Sequence, residues 1–225
     1  MVIKKTYLFP MFFLLFGLLT QTIAYILGAD DLLSFISGIL GVFAVVLTSL
    51  RKISMYVFAF LQLFTYMILA YEQRLYGELV ENLFYAVTLI AGIFIWLKHY
   101  KNNKVETKSL GVVDWLFTII GGVVASALLY FILRNSDDTQ PLMDTLSTIP
   151  AFVAQMLMIM RYREQWIFWI IVDITTCILW INVHNWCMVA QYAFWTLNCI
   201  YGWILWSKKS KYYNNDKVKR NKQTI

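Results

Sequence analysis

Charge is scarce in this chain, and so are the residues that would cross-link it. Asp, Glu, Lys and Arg make up 14% of the 225 residues, against roughly a quarter in a soluble domain, which excludes a soluble globular fold. Cysteine is limited to Cys177, Cys187 and Cys199, with no pair at metal-ligand spacing. Neither a disulfide framework nor a metal site is therefore expected. The two histidines, His99 and His184, sit at the ends of apolar runs. There is no H-E-x-x-H, no G-x-S-x-G, no paired-aspartate motif and no nucleotide-binding P-loop. These absences argue against an enzyme and against direct use of ATP. No cofactor is expected.

What the chain has instead is apolar length. A helix needs about 20 apolar residues to cross a hydrocarbon core of about 30 Å. Eight such runs occur, at roughly 7–27, 32–50, 53–71, 79–98, 111–134, 142–160, 165–183 and 187–207. The gaps between them alternate in sign. Lys4 and Lys5 precede the first run and Asp30 and Asp31 follow it, then Arg51 and Lys52. A mixed gap with Glu72, Arg74 and Glu78 comes next, followed by Lys98, Lys101, Lys104 and Lys108. Asp137, Asp138 and Asp144 follow the fifth run, Arg161 and Arg163 the sixth, and a lysine-rich tail closes the chain. Basic gaps are retained in the cytoplasm, so eight spans put both termini there. The same basic residues give the net charge of +6. Because they lie in short loops and the tail they set topology, and no nucleic-acid partner is expected. The first run reads as a retained span: its apolar core is long, and no small-x-small cleavage site follows.

The chain repeats itself at an offset of 110 residues. Arg51 pairs with Arg161, Phe58 with Phe168, Thr65 with Thr175, Phe84 with Phe194, Gly92 with Gly202, Trp96 with Trp206 and Lys98 with Lys208. Tyr56 pairs with Trp166 and Tyr85 with Trp195. The expected fold is an all-α membrane protein of eight transmembrane helices. Two parallel three-helix repeats are joined by a linker helix in a SWEET-like 3+1+3 plan, with an extra N-terminal helix. The boundaries read as 1–30 for the N-terminal helix, 31–100 for repeat 1, 101–135 for the linker, 136–207 for repeat 2 and 208–225 for a basic cytoplasmic tail. An odd number of connecting spans makes the repeats parallel, as in carriers that rock one unit against the other around a central site.

Polar groups in hydrocarbon are costly and mark functional positions by default. Gln62, Asn82, Gln155, Asp173, Gln191 and Asn198 all fall inside runs, and Asp173 reads as the one acid deep in a span. Helical spacing places Trp169, Asp173, Thr176 and Trp180 on one stripe, and Gln191, Trp195, Asn198 and Gly202 on another; Asn82 and Tyr85 form the counterpart in the first repeat. Amides interleaved with aromatic faces can stack a flat ring and bond a sugar, and a cationic ring gains further from the aromatic quadrupoles. The expected substrate-binding set is Gln62, Asn82, Tyr85, Gln155, Trp169, Asp173, Gln191, Trp195 and Asn198.

The run Arg161-Tyr162-Arg163-Glu164-Gln165-Trp166-Ile167-Phe168-Trp169 matches R-Y-x-E-x-W-x-x-W and resembles the signature of the PnuC family of vitamin transporters. The lead-in from Asp144 through Gln155, the Leu75-Tyr76-Gly77-Glu78 loop with Asn82, and the ending Asn198-x-x-Tyr201-Gly202-x-x-x-Trp206 are also similar. The resemblance covers about residues 34–207 and implies a bacterial inner-membrane carrier for nicotinamide riboside. It further implies facilitated diffusion with alternating access, trapping by cytoplasmic phosphorylation, and a homotrimer. Two positions depart from the family pattern, which usually has Asn where Asp173 stands and an amide where Leu89 stands. Within the same fold the alternative is a thiamine or (deoxy)nucleoside carrier. In another class it is the substrate-binding subunit of an ATP-driven importer, for which a symmetric alternating path would be superfluous.

Overall fold

A computed structural model describes residues 2–28, 30–73, 76–135, 141–182 and 184–223, with the backbone alone at 2–8, 76, 77, 80, 141, 143, 144 and 209–223. The acidic gap at Asp137 and Asp138, and Arg74 and Leu75 of the mixed gap, lie outside the described residues. The described residues form eight helices: α1 (Val2–Gly28), α2 (Leu32–Ser49), α3 (Met55–Glu72), α4 (Tyr76–Lys98), α5 (Val112–Arg134), α6 (Pro141–Ile159), α7 (Gln165–Asn182) and α8 (Trp186–Gln223). Among the described residues six of them are long and apolar enough to cross a membrane, namely α1 to α5 and α7. In α6 the apolar described stretch, Thr145–Ile159, is shorter. α8 continues through the basic residues of the tail to Gln223.

The ends of the helices follow from local chemistry. Asp31 caps α2, accepting from the backbone N and the hydroxyl of Ser34 at 2.8 Å each. Arg51 (φ 61°) ends α2 and Arg161 (φ 70°) ends α6, both in the left-handed region that favours glycine. Each is held there by the same pair of bonds. Arg51 N donates to Thr48 O (2.9 Å) and Lys52 N to Leu47 O (2.9 Å), while Arg161 N donates to Met158 O (3.0 Å) and Tyr162 N to Leu157 O (2.8 Å).

α2 packs on α3 and α8, α6 on α7 and α4, and α3 and α7 pack on α4 and α8. The offset of 110 therefore relates contacts as well as residues. A Cβ at Gly92 would meet Tyr56 Oη (2.6 Å) and Ile159; at Gly202 it would meet Trp166 (2.5 Å) and Ser49. The Tyr56 and Trp96 rings meet edge-on at 5.5 Å and 85°, and those of Trp166 and Trp206 at 5.6 Å and 88°.

An element with no sequence signal closes one end. Residues 99–111 form a short hairpin, β1 (Tyr100–Lys101) and β2 (Lys104–Val105), and then run across the two arginine turns. Val105 N donates to Arg51 O and Lys108 N to Arg161 O, each at 3.0 Å, and Arg163 N donates to Lys108 O at 3.0 Å. Arg161 Nη1 donates to Glu106 O (3.0 Å), and Leu110 N to Glu164 Oε2 (3.1 Å). These bonds supply partners for strained turns whose left-handed arginines cost on the order of 1 kcal/mol or more each.

Candidate functional site

A cavity of about 140 Å³ lies inside the helices, lined from α2, α3, α4, α6, α7 and α8. Nine pairs of its lining residues stand 110 apart: Val45 with Gln155, Thr48 with Met158, Ala59 with Trp169, Gln62 with Val172, Leu63 with Asp173, Tyr66 with Thr176, Asn82 with Tyr192, Tyr85 with Trp195 and Leu89 with Cys199. The cavity thus sits between α2–α4 and α6–α8, taking matched positions from each.

Eight of the nine residues expected to bind substrate line it: Gln62, Asn82, Tyr85, Gln155, Trp169, Asp173, Trp195 and Asn198. Gln155 Nε2 donates to Thr88 Oγ1 (2.8 Å), joining α6 to α4. Asn198 joins α8 to α2, donating to Val45 O (3.2 Å) and accepting from Ser49 Oγ (3.1 Å). Such bonds fix helix against helix where lipid tails give no hydrophobic drive. Asn82 Nδ2 turns to its own helix, donating to Glu78 O at 2.6 Å. The Tyr85 and Trp169 rings meet edge-on across α4 and α7, centroids 5.9 Å apart.

Gln191 lies outside the lining. It is buried against α2, where a Cβ on Gly41 would stand 3.0 Å from its Oε1. α1 closes over the same place: the Gln21 amide fits with its oxygen accepting from Gln191 N (2.9 Å) and its nitrogen donating to Cys187 O (3.2 Å). The stripe through Trp195 turns towards α1 and α2 one turn earlier, because the N-terminal helix packs there. Trp180 likewise leaves its stripe and donates Nε1 to Tyr66 Oη (3.1 Å).

Asp173 is not the lone buried acid. Glu78 and Glu81 line the same cavity, and Glu81 is 4% exposed. Tyr66 Oη donates to Glu78 Oε2 (2.8 Å) and Tyr85 Oη to Glu81 Oε2 (3.2 Å). Asp173 Oδ2 accepts from the thiol of Cys199 at 3.2 Å. The sequence puts Glu78 in the mixed gap and Glu81 inside the fourth run; the inward face that α4 presents from its first turn brings both to the cavity. Among the described residues, no Lys, Arg or His lines the cavity. Tyr66 with Trp180, and Tyr192 with Trp195, add aromatic pairs at 5.7 and 4.9 Å.

This geometry matches known proteins. The model of the family described as nicotinamide mononucleotide transporter matches residues 31–208. The chain belongs to that family. It is 33% identical over 211 residues to the nicotinamide riboside transporter PnuC of Haemophilus influenzae, covering 92% of each chain. To the transporter of the same name from Neisseria mucosa it is 31% identical over 216 residues, covering 90% of this chain and 82% of the relative. The crystal structure of the vitamin B3 transporter PnuC superposes with a TM-score of 0.81 at 30% identity, covering 91% of this chain and 92% of that one. Membership of the family, with the apolar helices, makes this chain a multi-pass transporter of the bacterial inner membrane rather than an enzyme.

Proposed function

We propose that this chain carries nicotinamide riboside through the cavity by facilitated diffusion, with alternating access, and that phosphorylation in the cytoplasm traps the product. The observation that carries this reading is the sign of the lining: three carboxyls, amides and aromatic rings and, among the described residues, no base. A pyridinium is attracted to carboxyls and to aromatic faces. A mononucleotide brings a phosphate, which would meet carboxyls with no Lys or Arg to neutralise it. The family description names the mononucleotide and the relatives the riboside; the lining favours the riboside. The proposed binding set is Gln62, Asn82, Tyr85, Gln155, Trp169, Asp173, Trp195 and Asn198. Proteoliposomes holding this protein alone should take up labelled nicotinamide riboside saturably. A hundredfold excess of the mononucleotide should leave that uptake intact. Competition by the mononucleotide would overturn the assignment, and competition by thiamine alone would shift it to another cationic vitamin.

We also infer that 31–100 and 136–207 are parallel repeats about an axis along the membrane normal, with 101–135 as linker, α1 outside the symmetry and both termini cytoplasmic. The paired cavity residues and the matched glycine and tryptophan contacts support it. α5 buries no residue in the protomer, which leaves it for lipid or for neighbours in the homotrimer that the family resemblance implies. Light scattering of the solubilised protein, corrected for detergent, would test the trimer.

A further inference from the structure

The cavity has two poles related by the offset of 110, and they are chemically opposite. On the α7–α8 side stand Asp173 and Cys199, hydrogen-bonded to each other at 3.2 Å. At the corresponding positions on the α3–α4 side stand Leu63 and Leu89, both apolar and both lining the cavity. At this matched pair of positions the frame is acidic on one side and apolar on the other, while Glu78 and Glu81 of α4 line the cavity at positions whose counterparts, Met188 and Gln191, are not among the lining residues.

The other two carboxyls are placed differently. Glu78 and Glu81 each accept from a phenol, Tyr66 Oη at 2.8 Å and Tyr85 Oη at 3.2 Å. One oxygen of each, Oε2, is engaged in holding an aromatic ring in place. Asp173 accepts from a thiol, a weak donor that leaves more of the carboxyl's acceptor capacity for a ligand. One helical turn before it on α7 stands Trp169, a face on which a planar ring can rest.

Resting on the riboside reading of this cavity, we propose that Asp173 is the residue that makes the carrier demand a positively charged ring, and that Cys199 is its positioning residue. The thiol holds Oδ2 towards α8, so the carboxyl stays turned across the cavity rather than along its own helix. Away from water, the attraction between one carboxylate and one pyridinium exceeds what any single amide could supply. Asn at 173 would keep the shape and the contact with Cys199 while removing the charge.

The test compares two ligands of one size. Nicotinamide riboside carries a cationic ring, and its dihydro form, reduced at the ring, is neutral. Calorimetric titration of the purified full-length protein should show the cation bound at least tenfold tighter than the reduced form. In Asp173→Asn that preference should shrink to within about threefold, through loss of affinity for the cation rather than gain for the neutral form. Cys199→Ser, which keeps a donor, should retain the preference, and Cys199→Ala should lose part of it. A folded Asp173→Asn protein with the full preference would overturn the proposal, and Cys199→Ala with the full preference would overturn the role of the thiol. Wild type binding both forms equally would defeat the charge reading alone. Wild type binding neither would defeat the riboside reading itself.

Discussion

Trp96 and Trp206 stand with ring centroids 6.1 Å apart, and each sends its indole N–H across to the opposite group of helices. Trp96 Nε1 donates to Met158 O at 3.3 Å, and Trp206 Nε1 donates to Thr48 O at 3.3 Å. Donors and acceptors both differ by 110 in number. Both rings are fully buried. The pair ties the end of the molecule that the 99–111 strap crosses.

Close packing at the two matched glycines predicts unequal costs. Gly202→Ala drives a methyl into the Trp166 ring at 2.5 Å, and a buried indole has little room to yield. Gly92→Ala meets the hydroxyl tip of Tyr56 at 2.6 Å together with Ile159. Each substitution should destabilise by about 1–3 kcal/mol, Gly202→Ala by more. Thermal unfolding in detergent reads the order; a greater loss at Gly92 would contradict it.

Gln155 and Gln191 should separate binding from packing. Gln155→Leu removes an amide that lines the cavity and bonds Thr88, so affinity for nicotinamide riboside should fall tenfold or more. Gln191 is fully buried outside the lining, and neither atom of its amide has a hydrogen-bond partner among the described residues. Gln191→Leu should leave affinity within about twofold and hold or raise the melting temperature, because a buried unpartnered amide costs about 1–3 kcal/mol. A binding defect in that variant would place Gln191 in the site.

Tyr66 links three helices at the end opposite the strap. Its hydroxyl donates to Glu78 on α4 and accepts from Trp180 on α7. Tyr66→Phe leaves the indole N–H of Trp180 without that partner and should cost about 1–3 kcal/mol of stability. Differential scanning calorimetry decides, and an unchanged transition would mean that water or a neighbour replaces the hydroxyl.

A carrier of a cation without a coupled ion is driven by the membrane potential. At 100 mV, inside negative, one positive charge gains about 2.3 kcal/mol, which corresponds to about 50-fold accumulation at equilibrium. A valinomycin-set potassium potential on proteoliposomes should produce it, and clamping the potential at zero should abolish it. Accumulation indifferent to the potential would mean that the substrate crosses neutral or with a counter-charge.

Orientation is checked by labelling. In a variant lacking the native cysteines, Asn135→Cys should react with an impermeant maleimide added outside intact cells, and Asn103→Cys should react only after lysis. Both asparagines are exposed. The opposite pattern would turn the topology over.

Much of this was legible in the residues. The positions of the helices follow from apolar length, and the matched contacts from Gly92, Trp96 and their counterparts, because close glycine–aromatic packing restricts both residue types. Asp173, Trp169 and Asn82 announce a site because polar groups in spans are costly. Glu78 did not, since an acid in a gap between apolar runs reads as interfacial until the neighbouring helices are placed. Cys199 was silent because a lone cysteine in a span looks like any small apolar residue; its meaning comes from Asp173, 26 positions away on another helix. The strap was unreadable because its bonds run through main-chain atoms, which carry no side-chain signature.

A socket formed by two like halves would offer its guest two interchangeable seats, one the half-turn image of the other. Leu63 opposite Asp173, and Ala59 opposite Trp169, make those seats unlike. Divergence between the halves has keyed the socket. If the riboside binds as proposed, a guest with a charged end enters one way round and leaves from the same pose.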